Sequence, residues 1–310
     1  MRGKILLTGK SGQVGFELAK LLPALGEVIA PDRREMDLQS PDSTRRMIRD
    51  VRPEVIVNAA AYTDVSKAEI EKDTARAINA DAPQIMAEEG KKIGSVLLHF
   101  STDYVFDGTK TCPYDEEDKP NPINVYGETK LAGEHAVRDT GVPYLIFRTA
   151  WVYGMKGRNF LTTVLQSATE REELTVVRDQ IGAPTWSRGI AVATKNILVQ
   201  IGECGQNSLS KLNGVYHLTS AGQTNRFDFA NAILEEASRT TVDVQRITLA
   251  TQSRPIIARR IIPVTTEHYP SPARRPAYSV LSNKKLQRVF GITLPDWRIQ
   301  LQMAFTSNHF

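Results

Sequence analysis

The sequence predicts an α/β fold: a doubly wound parallel sheet with a smaller C-terminal lobe interleaved with it. Three observations carry this. Short apolar runs alternate with stretches of helical spacing through the first 150 residues. The runs are continuous rather than alternately apolar and polar, as in strands covered on both faces. A glycine-rich turn joins the first run to the first helical stretch.

The elements follow in order. Residues 4–7 form the first strand, and residues 14–22 an amphipathic helix. Val28, Ile29 and Ala30 form the second strand. Ser40-Pro41-Asp42 reads as an N-cap with proline at the first helical position, opening a helix over 41–51. Val55-Ile56-Val57 is the third strand, followed by a helix through 74–89. Residues 96–100 and 144–147 are the fourth and fifth strands, with helical spacing over 125–138 between them. Beyond residue 155 the alternation loosens. Helical patterns recur at 159–171, 187–201 and 226–238, and Pro and Arg cluster between 254 and 276. No linker marks a boundary. The expected division is a dinucleotide-binding domain over 1–173 and 187–218, and a substrate lobe over 174–186 and 219–310.

The N-terminal apolar run is too short for the core of a secretion signal, and no later run is long enough to span a bilayer. Cys112 and Cys204 give no disulfide framework. A cytoplasmic protein without a membrane partner is the expectation. The net charge of +4 hides an asymmetry. Residues 1–150 carry 20 Lys+Arg against 24 Asp+Glu, whereas residues 151–310 carry 19 against 11. The second half therefore favours an anionic small molecule, unless its arginines are only a solvated surface. No basic stretch is interleaved with aromatics, which argues against nucleic acid. Five dispersed histidines give no metal-ligand spacing.

Gly9-Lys10-Ser11-Gly12-Gln13-Val14-Gly15 lies between the first strand and the first helix. Glycines there allow a tight turn and close approach of the backbone to a pyrophosphate, which then meets the helix N-terminus. This is the Rossmann arrangement for NAD or NADP. Asp32 follows the second strand, where a carboxylate meets the adenosine ribose and favours NAD. Arg33 beside it suits a 2′-phosphate and favours NADP, so the residues pull in opposite directions. Asp37 and Leu38 are placed to flank the adenine, or Asp37 is simply a turn residue. Asn58-Ala59-Ala60-Ala61-Tyr62-Thr63 ends the third strand with small residues that let a cofactor lie against the backbone, or that serve tight helix–sheet packing; Ala61, Tyr62 and Thr63 are the candidate contacts.

The chemistry lies further on. Ser101-Thr102-Asp103-Tyr104 ends the fourth strand, and Tyr126-Gly127-Glu128-Thr129-Lys130 opens the next helix. Tyr126 and Lys130 stand four residues apart and share a helix face. The expectation is that the Lys130 ammonium lowers the pKa of the Tyr126 phenol and binds the nicotinamide ribose. Thr102 completes a hydrogen-bonded site around a substrate carbonyl, and Tyr126 gives its proton to the carbonyl oxygen. Tyr-x-x-x-Lys is a short pattern that chance supplies often; its order after the glycine turn and Thr102 makes it a reductase site.

Taken together, these motifs, with Arg148-Thr149-Ala150-Trp151-Val152-Tyr153-Gly154, resemble the extended short-chain dehydrogenases/reductases. Within them the chain is similar to the dTDP-4-dehydrorhamnose reductase subgroup. Residues 179–185, 269–276 and 294–297 fit that subgroup, so the likeness runs from end to end. The resemblance implies reduction of the 4-keto group of a dTDP-linked 6-deoxysugar, dTDP-4-dehydro-L-rhamnose, with NADPH or NADH. By motif position Tyr126 is the acid and Lys130 binds cofactor, while Thr102, Asp103 and Trp151 meet the sugar. Asn159, with Phe160, shapes the nucleotide-sugar pocket. Arg274 and Arg275 are candidates for its diphosphate, or else surface ion-pairing residues.

Two departures stand out. Ser66 occupies a position where many members have Asp. Some members dimerise through a metal held by glutamates. Glu17 matches one such position, but Arg188 and Arg298 stand at the others, and a cation cannot ligate a metal. A monomer or weak homodimer is expected, not one bridged by a metal. Two alternatives remain: a reductase of another nucleotide-linked 4-keto-6-deoxysugar, and a non-catalytic subunit that binds a dinucleotide. The intact Thr102, Tyr126 and Lys130 argue against the second.

Overall fold

A computed structural model describes residues 3–203, 212–239 and 255–307. Cys204 and Arg254, at the head of the Pro/Arg cluster, lie outside these segments. Six strands form one parallel sheet: β1 (Lys4–Thr8), β2 (Glu27–Ile29), β3 (Val55–Asn58), β4 (Val96–Thr102), β5 (Tyr144–Thr149) and β6 (Gly214–His217). Their order is β6-β5-β4-β3-β1-β2. The sequence order reverses between β1 and β3, and such a switch point opens a crevice at the carboxyl ends of the strands. β4 is buried at every position, which explains its unbroken apolar run.

Helices cover both faces. One is packed by α1 (Gln13–Leu21), α6 (Ser187–Glu203) and the helix Lys284–Phe290, through Leu18, Ile190, Ile197, Leu286 and Phe290. The other is packed by α2 (Pro41–Val51), α3 (Ala82–Ile93) and α4 (Val125–Thr140), through Ile48, Met86 and Val137. The Ser40 side chain caps α2 by accepting from the Ser43 amide, with Pro41 at the first position. The helix expected over 74–89 is interrupted. Lys72–Arg76 runs into a π turn, Ala77–Asp81, before α3 begins. The cause is Pro83: lacking an N–H, it cannot donate to the Asn79 carbonyl. α4 packs against that turn so closely that a Cβ at Gly133 would fall 2.2 Å from the Asn79 oxygen.

After β5 the chain leaves the sheet, returns through Ser187–Glu203 and β6, and leaves again. The excursions share a second core made by α5 (Phe160–Glu170), the helix α7 (Arg226–Arg239) and the helix Trp297–Thr306. Tyr153, Leu161, Leu165, Trp186, Phe229, Ile233, Trp297 and Leu301 fill it. Three two-stranded ribbons complete the lobe: Val152–Tyr153 with Thr185–Trp186, Ile181–Gly182 with Thr224–Asn225, and Glu173–Val177 with Arg260–Val264. Among the described residues, no helix is long and apolar enough to cross a membrane, and no three His, Cys, Asp or Glu side chains gather where they could hold a metal. Arg188 lies 3.8 Å from Glu17, and Arg298 lies 3.6 Å from Glu235.

Candidate active site

A cleft of about 770 Å³ opens over the carboxyl ends of β1, β3, β4 and β5 and reaches the second lobe. Its floor at one end is the glycine turn. Gly9 has φ +75°, and a Cβ there would meet the Ala59 and Ala60 backbone at 2.7 Å. A Cβ at Gly15 would fall 2.0 Å from the Gly9 oxygen, so α1 can start this close to β1 only with glycine at that position. Gly15 therefore shapes the turn from beneath, while Gly9, Gly12, Gln13 and Val14 line the cleft. No side chain caps the amides of α1, whose N-cap is Gly12. A glycine N-cap costs only roughly a few tenths of a kcal/mol relative to a side-chain cap. Burial of a residue such as Leu18 or Leu22 contributes about 2 kcal/mol. The helix thus keeps its place with its N-terminal amides free for an anion.

Beyond β2 the cleft is lined by Asp32, Arg33, Asp37 and Leu38. Asp32 Oδ1 accepts from the amides of Arg34 (2.8 Å) and Glu35 (3.1 Å). These bonds, that to Glu35 foremost, hold the carboxyl below its usual pKa and leave one oxygen for a ligand. Arg33 Nε lies 3.9 Å from Asp37 Oδ1. Asp37 also accepts from the Gln39 amide, so it is both a turn residue and a cleft residue. At β3, Ala61 and Thr63 face the cleft. Tyr62 does not. Its amide donates to Asn79, its hydroxyl donates to Glu71, and its ring packs with Ala68, Ala75 and Val125.

A buried chain of polar groups crosses the sheet ends. Thr8 Oγ1 donates to Asn58 Oδ1 (2.7 Å), and Asn58 Nδ2 lies 3.0 Å from His99 Nδ1. His99 Nε2 lies 3.3 Å from Lys130 Nζ, which donates to the Phe100 carbonyl (2.6 Å). Burial, with Lys130 beside it, holds His99 neutral. Burial also lowers the Lys130 ammonium to about 8, against the opposing charge of Glu134 one turn on.

Tyr126 is the second residue of α4. Asn124 caps that helix through the Gly127 amide (2.8 Å), and Glu69 accepts from the Val125 amide (2.9 Å). The ring meets Tyr104 edge-on at 5.8 Å. The expected lowering of the phenol by Lys130 is not found: Lys130 turns to Phe100 and His99. Burial instead raises the Tyr126 pKa, and a hydrogen bond with Thr102 only partly opposes it. Tyr126 is therefore a neutral phenol with its proton in place. Asp103 is 2% exposed, with Oδ1 bound by Thr102 and Oδ2 unpaired by any protein group. Burial pushes its carboxyl up to about 6, although the nearby Ser279 and Thr102 hydroxyls work to lower it.

Trp151 (φ +45°) and Asn159 line the far end. Asn159 caps α5 in a reciprocal box with Thr162, and its amide reaches Gln13 Oε1 (3.3 Å), tying the glycine turn to the second lobe. Arg274 and Arg275 do not line the cleft. The Arg274 carbonyl accepts from Asn124, and the Arg275 guanidinium donates to Ser271. The side chains that sequence reasoning passed over are Tyr104, Arg158 and Arg226, all of which line the cleft. Tyr104 stands inside a motif already noted; Arg226 reads only as the start of a helix.

Known proteins match the chain over nearly its whole length. A family model described as RmlD substrate binding domain covers residues 3–309. A Burkholderia thailandensis protein named dTDP-4-dehydrorhamnose reductase is 48% identical over 296 residues, 95% of each chain. One of the same name from Escherichia coli K12 is 42% identical over 301 residues, 95% of this chain and 94% of its own. Among solved structures, dTDP-4-dehydrorhamnose reductase from Bacillus anthracis in complex with NADP has a TM-score of 0.84 at 32% identity, covering 98% of this chain and 99% of that one.

Proposed function

Because the chain belongs to the RmlD substrate binding domain family, we propose that it reduces the 4-keto group of dTDP-4-dehydro-L-rhamnose to dTDP-L-rhamnose with NADPH or NADH. One observation carries this reading. A half-buried tyrosine, kept neutral, meets Thr102 and Asp103 in the same cleft as an uncapped glycine turn. The residues fit a dinucleotide: a Cβ at Gly9 or Gly15 would fill the turn, and the α1 amides await an anion.

The pyrophosphate would lie on residues 9–15, and the adenosine between Asp32, Arg33, Asp37 and Leu38. Ala61, Thr63 and the Lys130 ammonium would hold the nicotinamide half. When bound, the cofactor supplies hydride to the carbonyl carbon. Tyr126 donates its proton to the carbonyl oxygen, and the Thr102 hydroxyl, turned from Asp103, orients that oxygen by donating a hydrogen bond. Asp103 Oδ2, free of protein partners, accepts from a sugar hydroxyl. The lobe around Trp151 and Asn159 takes the nucleotide sugar, so the boundary is placed where the chain first quits the sheet after β5, before the expected residue 173, because α5 packs in the second core.

The test is oxidation of NADPH and, separately, NADH, followed at 340 nm on adding dTDP-4-dehydro-L-rhamnose. Turnover with either supports the reading. Tight cofactor binding without turnover of any 4-keto nucleotide sugar rejects it in favour of a non-catalytic subunit. Turnover only of a different 4-keto-6-deoxysugar replaces the substrate and keeps the reaction.

Lys130 makes a pH dependence. Its folded pKa of about 8 lies below the usual lysine value, so it is an ammonium below that pH and an amine above it. The ammonium is the form that helps bind cofactor hydroxyls. The Kd for NADPH is thus expected to rise as pH passes upward through about 8. Fluorescence titration from acid to alkaline buffer measures it. A Lys130→Met variant should bind weakly at all pH values; a variant with the wild-type profile would assign the titration elsewhere.

A further inference from the structure

Arg226 opens α7, directly after the Thr224–Asn225 strand that pairs with Ile181–Gly182. It is half-buried and lines the sugar end of the cleft. Its guanidinium carbon lies 3.7 Å from the centroid of the Trp151 ring and 5.0 Å from that of Phe160. Phe160 is itself stacked on the buried Phe229 at 5.6 Å, so that side of the cation is rigid. The Tyr104 hydroxyl lies near enough to the guanidinium for the two to interact electrostatically, and its ring is edge-on to Tyr126.

Gly182 constrains the Trp151 ring as well. A Cβ at Gly182 would fall 2.4–2.7 Å from three indole atoms, so the ring rests on a glycine floor. Its backbone has a positive φ, which a tryptophan holds only where its surroundings fix it. The ribbon that supplies Gly182 also delivers Arg226, pairing Gly182 with Thr224. The same ribbon thus brings both Gly182 and the start of α7 to the indole. A solvated surface arginine has no need of two aromatic faces and a tyrosine hydroxyl in a substrate cleft.

We propose that Arg226 is a positioning residue for the sugar end, fixing the plane of Trp151 against Gly182 and the seat of Tyr104 behind Tyr126. It acts on recognition of the sugar ring and not on the cofactor. The inference rests on the reductase reading, and its test separates the two. The full chain is assayed with saturating NADPH and varied nucleotide sugar, for wild type, Arg226→Leu, Arg226→Lys, Trp151→Leu and the Arg226→Leu/Trp151→Leu double variant.

Arg226→Leu is expected to raise KM for the sugar about tenfold, to change kcat by less than about threefold, and to leave the NADPH Kd within about twofold. Lysine should restore part of the KM, since it keeps the charge but not the flat stacking. Because Arg226 acts largely through Trp151, the double variant should be little worse than Trp151→Leu alone. Effects that multiply, or an NADPH Kd that moves with KM, overturn the proposal. Near-ultraviolet circular dichroism reports independently of turnover. Arg226→Leu should alter the tryptophan bands, and the alteration should vanish in the Trp151→Leu background. Unchanged bands overturn the positioning; a wild type that reduces no 4-keto nucleotide sugar, while Arg226→Leu still alters the bands, overturns only the reductase reading.

Discussion

Tyr126→Phe is expected to bind NADPH as the unaltered chain does and to lose about 10²–10⁴-fold in kcat, the usual contribution of one general acid. The substitution removes a single oxygen. The ring keeps its edge contact with Tyr104 and its place beside Val125 and Ala75, and the Asn124 cap holds α4 through backbone groups. The lost group is a phenol whose pKa burial has raised. That direction keeps the tyrosine protonated but weakens it as an acid, so the proton moves as hydride transfer makes the carbonyl oxygen strongly basic. Thr102 cannot replace it, since an alcohol is a far weaker acid than a phenol. Steady-state kinetics beside a cofactor titration decide the matter. A kcat within about threefold of wild type would mean another group supplies the proton.

The half of the fold that binds a dinucleotide was legible in the sequence for a physical reason. Parallel strands buried on both faces produce short apolar runs, and β4 is the extreme case. Gly9 and Gly15 are legible because no other residue fits a turn where a Cβ would overlap backbone. Tyr126 and Lys130 follow from their spacing on one helix. Their electrostatics did not follow, because spacing shows neither the burial that raises the phenol nor the Phe100 carbonyl that draws Lys130 away. The second lobe was harder to read. Its ribbons contribute two residues at a time, too few for a period of two to register. Arg226 and Trp151 lie 75 positions apart and meet only through such a ribbon. Arg274 and Arg275 mislead in the opposite way: the sequence shows two cations, but not that Asn124 takes the first residue's carbonyl and Ser271 the second's guanidinium.

Below the active site lies the largest expected effect on stability. Glu134, fully buried, receives bonds from Arg148 Nε (2.9 Å) and Nη2 (2.7 Å) and from the Ser101 hydroxyl. Arg148 is 2% exposed, and its remaining Nη1 has no protein partner. Glu134→Gln keeps the shape and removes the charge, which strands a guanidinium inside the sheet. Breaking a buried pair from one side costs about 3–5 kcal/mol. For a chain of this size that lowers Tm by roughly 6–10 °C, at about 2 °C per kcal/mol. Removing both charges, as Glu134→Leu/Arg148→Met, should recover most of the loss, because the desolvation of both ions disappears with their attraction.

The same residue reaches the chemistry. Glu134 lies one turn beyond Lys130 on α4, and its charge raises the lysine pKa against burial. In Glu134→Gln the ammonium should give up its proton at a lower pH, so the alkaline weakening of NADPH binding moves toward neutrality. The double variant should share that displaced profile while melting near wild type. That combination separates the two effects: Tm follows the stranded Arg148, and the pH profile follows Lys130. A single variant that melts within about 1 °C of wild type would show that water or rearrangement already satisfies Arg148. A profile left in place would show that the Lys130 pKa is set by burial alone.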